Sequence, residues 1–177
     1  GVYLNMKIVL VGYMGSGKST IGKELSEIVG IPFYDLDMII EKREQTSIKN
    51  IFETKGEIYF RKIEHEILND FLESNDDFIL ALGGGTPCYA NNHVFLQNKD
   101  ISSFYLKMSV EVLVSRLKNE KEKRPIIANL SNEDLDEFVR KHLFDRNYYY
   151  LQSKHIISTE NKGVKEISEE IIATYSK

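Results

Sequence analysis

Near the start of the chain the run Gly12-Tyr13-Met14-Gly15-Ser16-Gly17-Lys18-Ser19-Thr20 contains, in Gly12 to Ser19, a full match to the spacing G-x-x-x-x-G-K-[ST]. Glycines at these places let a loop curl until its backbone N–H groups converge on phosphate oxygens, and a helix N-terminus behind the loop adds partial positive charge. Lys18, directly after the last glycine, would reach the outer phosphates, and the Ser19 hydroxyl is placed to coordinate a Mg²⁺ ion bridging them. The chemistry implied is binding of a nucleoside triphosphate by Gly12, Gly15, Ser16, Gly17, Lys18 and Ser19, with Thr20 capping or packing beside them. A glycine-rich turn that merely precedes a helix gives no reason for the Lys18-Ser19 pair.

Other residues could handle a group that receives a phosphoryl. Asp35 and Asp37 stand just beyond a candidate strand, on the edge where open α/β sheets place their ligands. One carboxylate can serve Mg²⁺ through water while the other takes up the proton of an acceptor hydroxyl; alternatively, one of them caps the helix starting near Met38. Gly83-Gly84-Gly85 lets backbone amides approach a small polar ligand, or is a plain turn. Arg61, with Glu64 one turn later to orient it, and Arg146, expected to end a helix, are candidate ligand cations or ordinary surface arginines. Arg124, before Pro125, is a candidate cationic finger for the transferring phosphoryl group or a solvated loop charge.

The elements that must position these residues are legible from hydropathy. Strand-like runs at Lys7–Val11, Pro32–Asp35, Phe78–Leu82, Ser103–Leu106 and His155–Ser158 alternate with longer amphipathic stretches. This alternation predicts an α/β fold, a three-layer α/β/α sandwich around a five-stranded parallel sheet. Ile8-Val9-Leu10-Val11 suits a strand buried on both faces, and Ile21, Leu25, Ile28 and Val29 form one helical stripe ended by Gly30. A mostly helical segment, about 38–73, is interrupted near Gly56. It carries an apolar face of Phe60, Ile63, Ile67, Leu68 and Phe71 and reads as a substrate-side insertion. Residues 118–131 are highly charged, lack apolar periodicity and read as an exposed, mobile lid between a helix at Val110–Leu117 and one capped by Ser131 with Asp134.

Composition narrows the class. The 177 residues suit a single domain, 1–177, able to bury roughly 70% of its unfolded surface. A net charge of −4 without a block of basic residues argues against a nucleic-acid partner. No apolar run approaches a membrane span, and no signal-peptide pattern opens the chain, so a cytoplasmic protein with no membrane partner is expected. Cys88, the one cysteine, excludes an internal disulfide and reads as a small buried hydrophobe. Gly1–Asn5 precede the strand pattern and are expected to include residues left from expression.

Guanine specificity is excluded on spacing, because Asn98-Lys99-Asp100 brings its aspartate one place too early for N-K-x-D. Taken together, GYMGSGKST, Asp35-Leu36-Asp37, Ser47-Ile48 to Phe52, Gly56-Glu57, Phe60-Arg61-Lys62-Ile63-Glu64, Gly83 to Pro87, Arg124-Pro125, and Arg146 with Tyr150 resemble the shikimate kinases. These are P-loop kinases of the nucleoside monophosphate kinase type, and the likeness spans nearly the whole chain. It implies ATP-dependent phosphorylation of the 3-hydroxyl of shikimate, a step toward chorismate and the aromatic amino acids.

Carried onto this sequence, the resemblance gives Asp37, Arg61, Gly83, Gly84, Gly85 and Arg146 to shikimate, with both arginines on its carboxylate. It gives Lys18 and Arg124 to the phosphates, Ser19 and, through water, Asp35 to Mg²⁺, and catalysis to Lys18, Asp37 and Arg124. It also places adenine near Thr159 to Gly163. The family's usual proline two residues after the last arginine is Tyr148 here, which bears on how that helix ends. Shikimate and ATP are the expected partners, and a monomer is expected from size. Another small-molecule kinase, such as a gluconate kinase, and a non-catalytic nucleotide-dependent binding module are the alternatives.

Overall fold

The computed structural model describes residues 5–175; Gly1–Leu4, most of the N-terminal tail set aside above, lie outside the described residues. All five predicted strands are present, with ends shifted by one residue at most: β1 Lys7–Val11, β2 Phe33–Asp35, β3 Phe78–Ala81, β4 Ser102–Lys107 and β5 His155–Ser158. They form one sheet in the order β2-β3-β1-β4-β5, every pair parallel. The central strand β1 has β3 on one side and β4 on the other. The crevice beyond its carboxyl end is therefore the topological switch point, where such sheets bind ligands.

Side-chain alternation divides the core between the two faces. Val9 and Val11 of β1 join one apolar cluster, Ile8 and Leu10 the other. The second cluster is covered by α1 (Lys18–Val29) and α6 (Val164–Tyr175), through Ile21, Leu25, Ile167 and Ile171. The first is covered by α2 (Leu36–Glu44), α3 (Ile48–Ser74), α4 (Val110–Lys118) and α5 (Asn132–Tyr150). The result is the three-layer sandwich predicted from sequence. Ile28, assigned above to the buried stripe of α1, is instead 44% exposed; in that last turn Val29 meets the core.

The 38–73 segment is two helices. Gln45 at φ 56° ends α2, and Ser47, whose hydroxyl accepts from Asn50 N at 3.1 Å, caps α3. Gly56, at φ 86° and ψ 171°, kinks α3 as expected, because a left-handed φ is open to glycine at little steric cost. The kink turns Ile48–Lys55 away from the longer second limb, whose Phe60, Ile63, Ile67, Leu68 and Phe71 are all buried. Ser131 caps α5, accepting from Asp134 N at 3.1 Å.

Two further expectations need correction. Residues 119–131 are exposed or half-buried as expected, except that Ile127 is fully buried in the core, and Lys121–Lys123 form a 3-10 turn. Arg146 does not end its helix. Tyr148, which unlike proline keeps its N–H, lets α5 continue to Tyr150, whose side chain is fully buried. Asp100 pairs with Lys7 at 3.0 Å, where β1 begins. The Asn98-Lys99-Asp100 triplet therefore sits at the opposite end of the sheet from the glycine loop. Among the described residues no helix is long and apolar enough to cross a membrane.

Candidate active site

The glycine loop leaves β1 and enters α1 through Gly17, whose left-handed φ of 90° would be strained for any other residue type. Lys18 folds back on the loop, its ammonium donating to the carbonyl oxygens of Gly12 and, at 3.1 Å, Tyr13. Burial lowers the Lys18 pKa to about 8, a shift opposed by the nearby carboxylates of Asp37 and Asp35. Ser19 Oγ donates to Asp35 Oδ2 at 3.0 Å. Asp35 Oδ1 also accepts from Met38 N at 3.3 Å, so Asp35 is the cap of α2, and Asp37 lies within the first helical turn. Of the two carboxylates, Asp37 is therefore left without a capping role.

A cavity of about 590 Å³ opens beside the loop. Lys18, Ser19, Thr20 and Asp35 line it together with Gly15 to Gly17, and Gly12 lies behind them as an acceptor for Lys18. Thr20 is exposed, without a capping role. A second cavity of about 700 Å³ is lined by Arg61, Arg146 and Gly83 to Gly85. Met14, Asp37, Gly83, Gly84 and Arg124 border both cavities. Of the residues singled out from sequence for catalysis, Asp37 and Arg124 thus stand where the two spaces meet.

The three glycines after β3 have a steric purpose that spacing does not reveal. A Cβ on Gly83 would come within 2.9 Å of Asp37 Oδ1, one on Gly84 within 3.0 Å of Arg146 Nη1, and one on Gly85 within 2.7 Å of Arg61 Nη2. Each glycine makes room for one charged side chain from another element: α2, α5 and α3 respectively.

Those charged groups are held from behind. Arg61 Nη1 donates to Glu64 Oε1 at 3.0 Å, as the one-turn spacing predicted, and its guanidinium stacks 3.9 Å from the centre of the Tyr89 ring. Buried Glu64 also accepts from Thr86 Oγ1 at 2.9 Å. Tyr150 donates to Gly84 O at 2.5 Å and accepts from Arg146 Nη1 at 3.4 Å. Burial pushes the Tyr150 phenol well above its usual range. Asp37 rises to about 6, chiefly from burial and then from the charges of Asp35 and Glu64, with Lys18 opposing. Arg124 pairs with Glu120 through Nε and Nη2, both at 3.3 Å.

Several contributors escaped the sequence reading. Arg116 lines the first cavity and donates to Gly15 O at 3.3 Å. Tyr89 and Thr86 support Arg61 and Glu64, and only their closeness to the glycine run could have suggested them. Cys88 is half-buried, and burial raises its pKa to about 11, which fits an inert thiol. Thr159, in the segment expected near adenine, is buried and donates to Lys107 O.

The family model described as shikimate kinase matches residues 14–176. A shikimate kinase of Flavobacterium johnsoniae is 55% identical over 166 residues, covering 94% of this chain and 96% of the relative. The crystal structure of the Bacteroides thetaiotaomicron shikimate kinase superposes with a TM-score of 0.86 at 31% identity, covering 97% of each chain. The solved structure of the shikimate kinase from Acinetobacter baumannii in complex with shikimate gives a TM-score of 0.85 at 32% identity, covering 97% of this chain and 93% of the other. A likeness of this extent, in sequence and fold together, makes the chain a member of the shikimate kinase family.

Proposed function

We propose that this protein transfers the γ-phosphoryl group of ATP to the 3-hydroxyl of shikimate, giving shikimate 3-phosphate and ADP in the route to chorismate. The observation that carries the reading is the meeting of the two cavities at Asp37 and Arg124, with two further guanidinium groups, those of Arg61 and Arg146, in the second. A phosphate-binding loop then faces a space suited to a small carboxylic acid, which paired guanidinium forks hold better than lysines would.

In this reading Gly12 to Thr20 cradle the triphosphate, and Lys18 leaves its loop carbonyls for the outer phosphates. Arg61 and Arg146 hold the acceptor carboxylate, and Gly83 to Gly85 let the acid approach the backbone. Asp37 orients the hydroxyl and takes its proton, a role its raised pKa suits. Arg124, released from Glu120, neutralises charge on the transferring group, and the lid at about 118–131 closes to exclude water, which would otherwise compete as acceptor.

Mg²⁺ fits the oxygen donors present. Ser19 Oγ and the Asp35 carboxylate are adjacent at the first cavity, and Mg²⁺ takes few protein ligands while keeping its waters. Ser19 would bind it directly and Asp35 through water. When bound, the ion screens the phosphate charge. We read the chain as one domain with α2 and α3 as its acceptor-side segment, acting as a monomer in the cytoplasm, where ATP is at hand. Adenine is assigned to the segment at Thr159 to Gly163.

ADP release should be followed with Mg·ATP and shikimate, gluconate or no acceptor in parallel. Stimulation by shikimate alone is expected. Stimulation by gluconate alone would move the reading to another small-molecule kinase, and slow turnover indifferent to both acids would favour a nucleotide-dependent binding module.

A further inference from the structure

Tyr13, the second residue of the glycine loop, is fully buried, yet its hydroxyl has a partner: His142 Nδ1 on α5, at 2.9 Å. The two rings meet edge to face, 5.4 Å between centres and 89° between planes. One helical turn after His142 comes Arg146, whose guanidinium lies 5.7 Å from the centre of the Tyr13 ring. Tyr13 thus touches both residues that α5 presents to the second cavity, since His142 lines that cavity beside Arg146.

Burial pushes the Tyr13 phenol up to about 12, so it remains a donor at neutral pH. Burial, reinforced by the Arg146 charge, lowers His142 to about 4, so the imidazole is neutral. A neutral imidazole has one N–H. Among the described residues the buried Tyr13 hydroxyl has no other hydrogen-bond acceptor, so its proton goes to Nδ1 and the imidazole proton sits on Nε2. Among the described residues no hydrogen bond uses that Nε2–H.

We propose that His142 is a further substrate-binding residue, its Nε2–H donating to the carboxylate that Arg146 holds, and that Tyr13 is a positioning residue which selects this tautomer. The proposal rests on the second cavity being the site of a small carboxylic acid, as read above. Its physical advantage is directional. A neutral donor fixed by a buried partner adds a hydrogen bond to the acid without the desolvation cost of a third cation.

The test compares His142→Leu, His142→Asn and Tyr13→Phe with wild type, using steady-state kinetics for shikimate at saturating Mg·ATP. His142→Leu should raise KM for shikimate about tenfold, the scale of one hydrogen bond to a charged group, while kcat and the KM for ATP move little. His142→Asn keeps an N–H donor and should recover most of that loss. Tyr13→Phe frees both tautomers and should fall between them. An unchanged KM in His142→Leu, or equal losses in the Leu and Asn variants, would overturn the proposal and leave the kinase reading intact. If wild type does not phosphorylate shikimate at all, the kinase reading fails and this proposal with it. If His142→Leu does not fold, His142→Asn and Tyr13→Phe still decide: a Tyr13→Phe KM no different from wild type refutes the tautomer role.

Discussion

Arg61 occupies the space that a side chain on Gly85 would need: a Cβ there would stand 2.7 Å from Nη2, and the guanidinium is already held by Glu64 and the Tyr89 ring. Gly85→Ala should therefore displace a group that cannot move freely. We expect KM for shikimate to rise about tenfold with KM for ATP unchanged, and stability to fall by about 1–2 kcal/mol from overpacking. Steady-state kinetics and urea unfolding read the two effects separately, and a Gly85→Ala enzyme with wild-type KM would show that Arg61 has room to shift.

Asp37 couples activity to stability in opposite directions. Its carboxyl titrates at about 6 in the folded chain, against about 4 when unfolded. Between those values the folded state binds the extra proton, so stability falls as pH rises from about 4 to 6, and the cost is fully present above that range. Asp37→Asn should therefore gain about 1–3 kcal/mol at pH 7.5 and little at pH 4. It should also lose about 10²–10⁴-fold in turnover while retaining nucleotide affinity. In the wild type kcat/KM should decline below about pH 6. Thermal unfolding at both pH values, with turnover, checks the pair of effects; a variant no more stable at pH 7.5 would contradict the buried charge.

Arg124 borders both cavities, and among the described residues the half-exposed Glu120 is its only ion-pair partner. Arg124→Ala should lower kcat by about 10³-fold, as for other cationic fingers, with KM for shikimate within about threefold of wild type. Equal losses in kcat and in shikimate affinity, measured by titration, would assign Arg124 to acceptor binding instead.

Asp35 serves both as the cap of α2 and as the partner of Ser19, and two substitutions separate these tasks. Asp35→Asn keeps a side-chain acceptor for Met38 N and should preserve stability, while weakening the response of turnover to Mg²⁺. Asp35→Ala should lose the metal response and also about 1 kcal/mol from the missing cap. Magnesium titrations beside thermal melts distinguish them, and a wild-type metal response in Asp35→Asn would remove Asp35 from the metal shell.

The linear sequence was sufficient for the strands, because a parallel sheet buried on both faces needs short, nearly continuous apolar runs and these are visible without tertiary information. It was sufficient for the glycine loop too, which runs from β1 into α1 as its spacing predicts, because its turn and helix start depend on residues adjacent in the chain. The Gly56 break and the Ser131 cap are equally local, since each depends on a residue's own torsions or on a neighbour three places away.

What the sequence could not decide is where distant side chains meet. Gly83, Gly84 and Gly85 matter because Asp37, Arg146 and Arg61 arrive from three different helices, and no spacing encodes that convergence. The length of α5 was misread at Arg146 because its continuation rests on burial of Tyr150 and a bond to Gly84 O. Ile127 reads as part of a free loop because the short, mostly apolar run Ile126 to Leu130 is too brief to set a period, yet it is buried in the core. His142 is silent in the sequence for the same reason: its tautomer is set by Tyr13, 129 positions away in the chain. Local torsions and hydropathy determine elements, whereas desolvation and the pairing of charges exist only once those elements have packed.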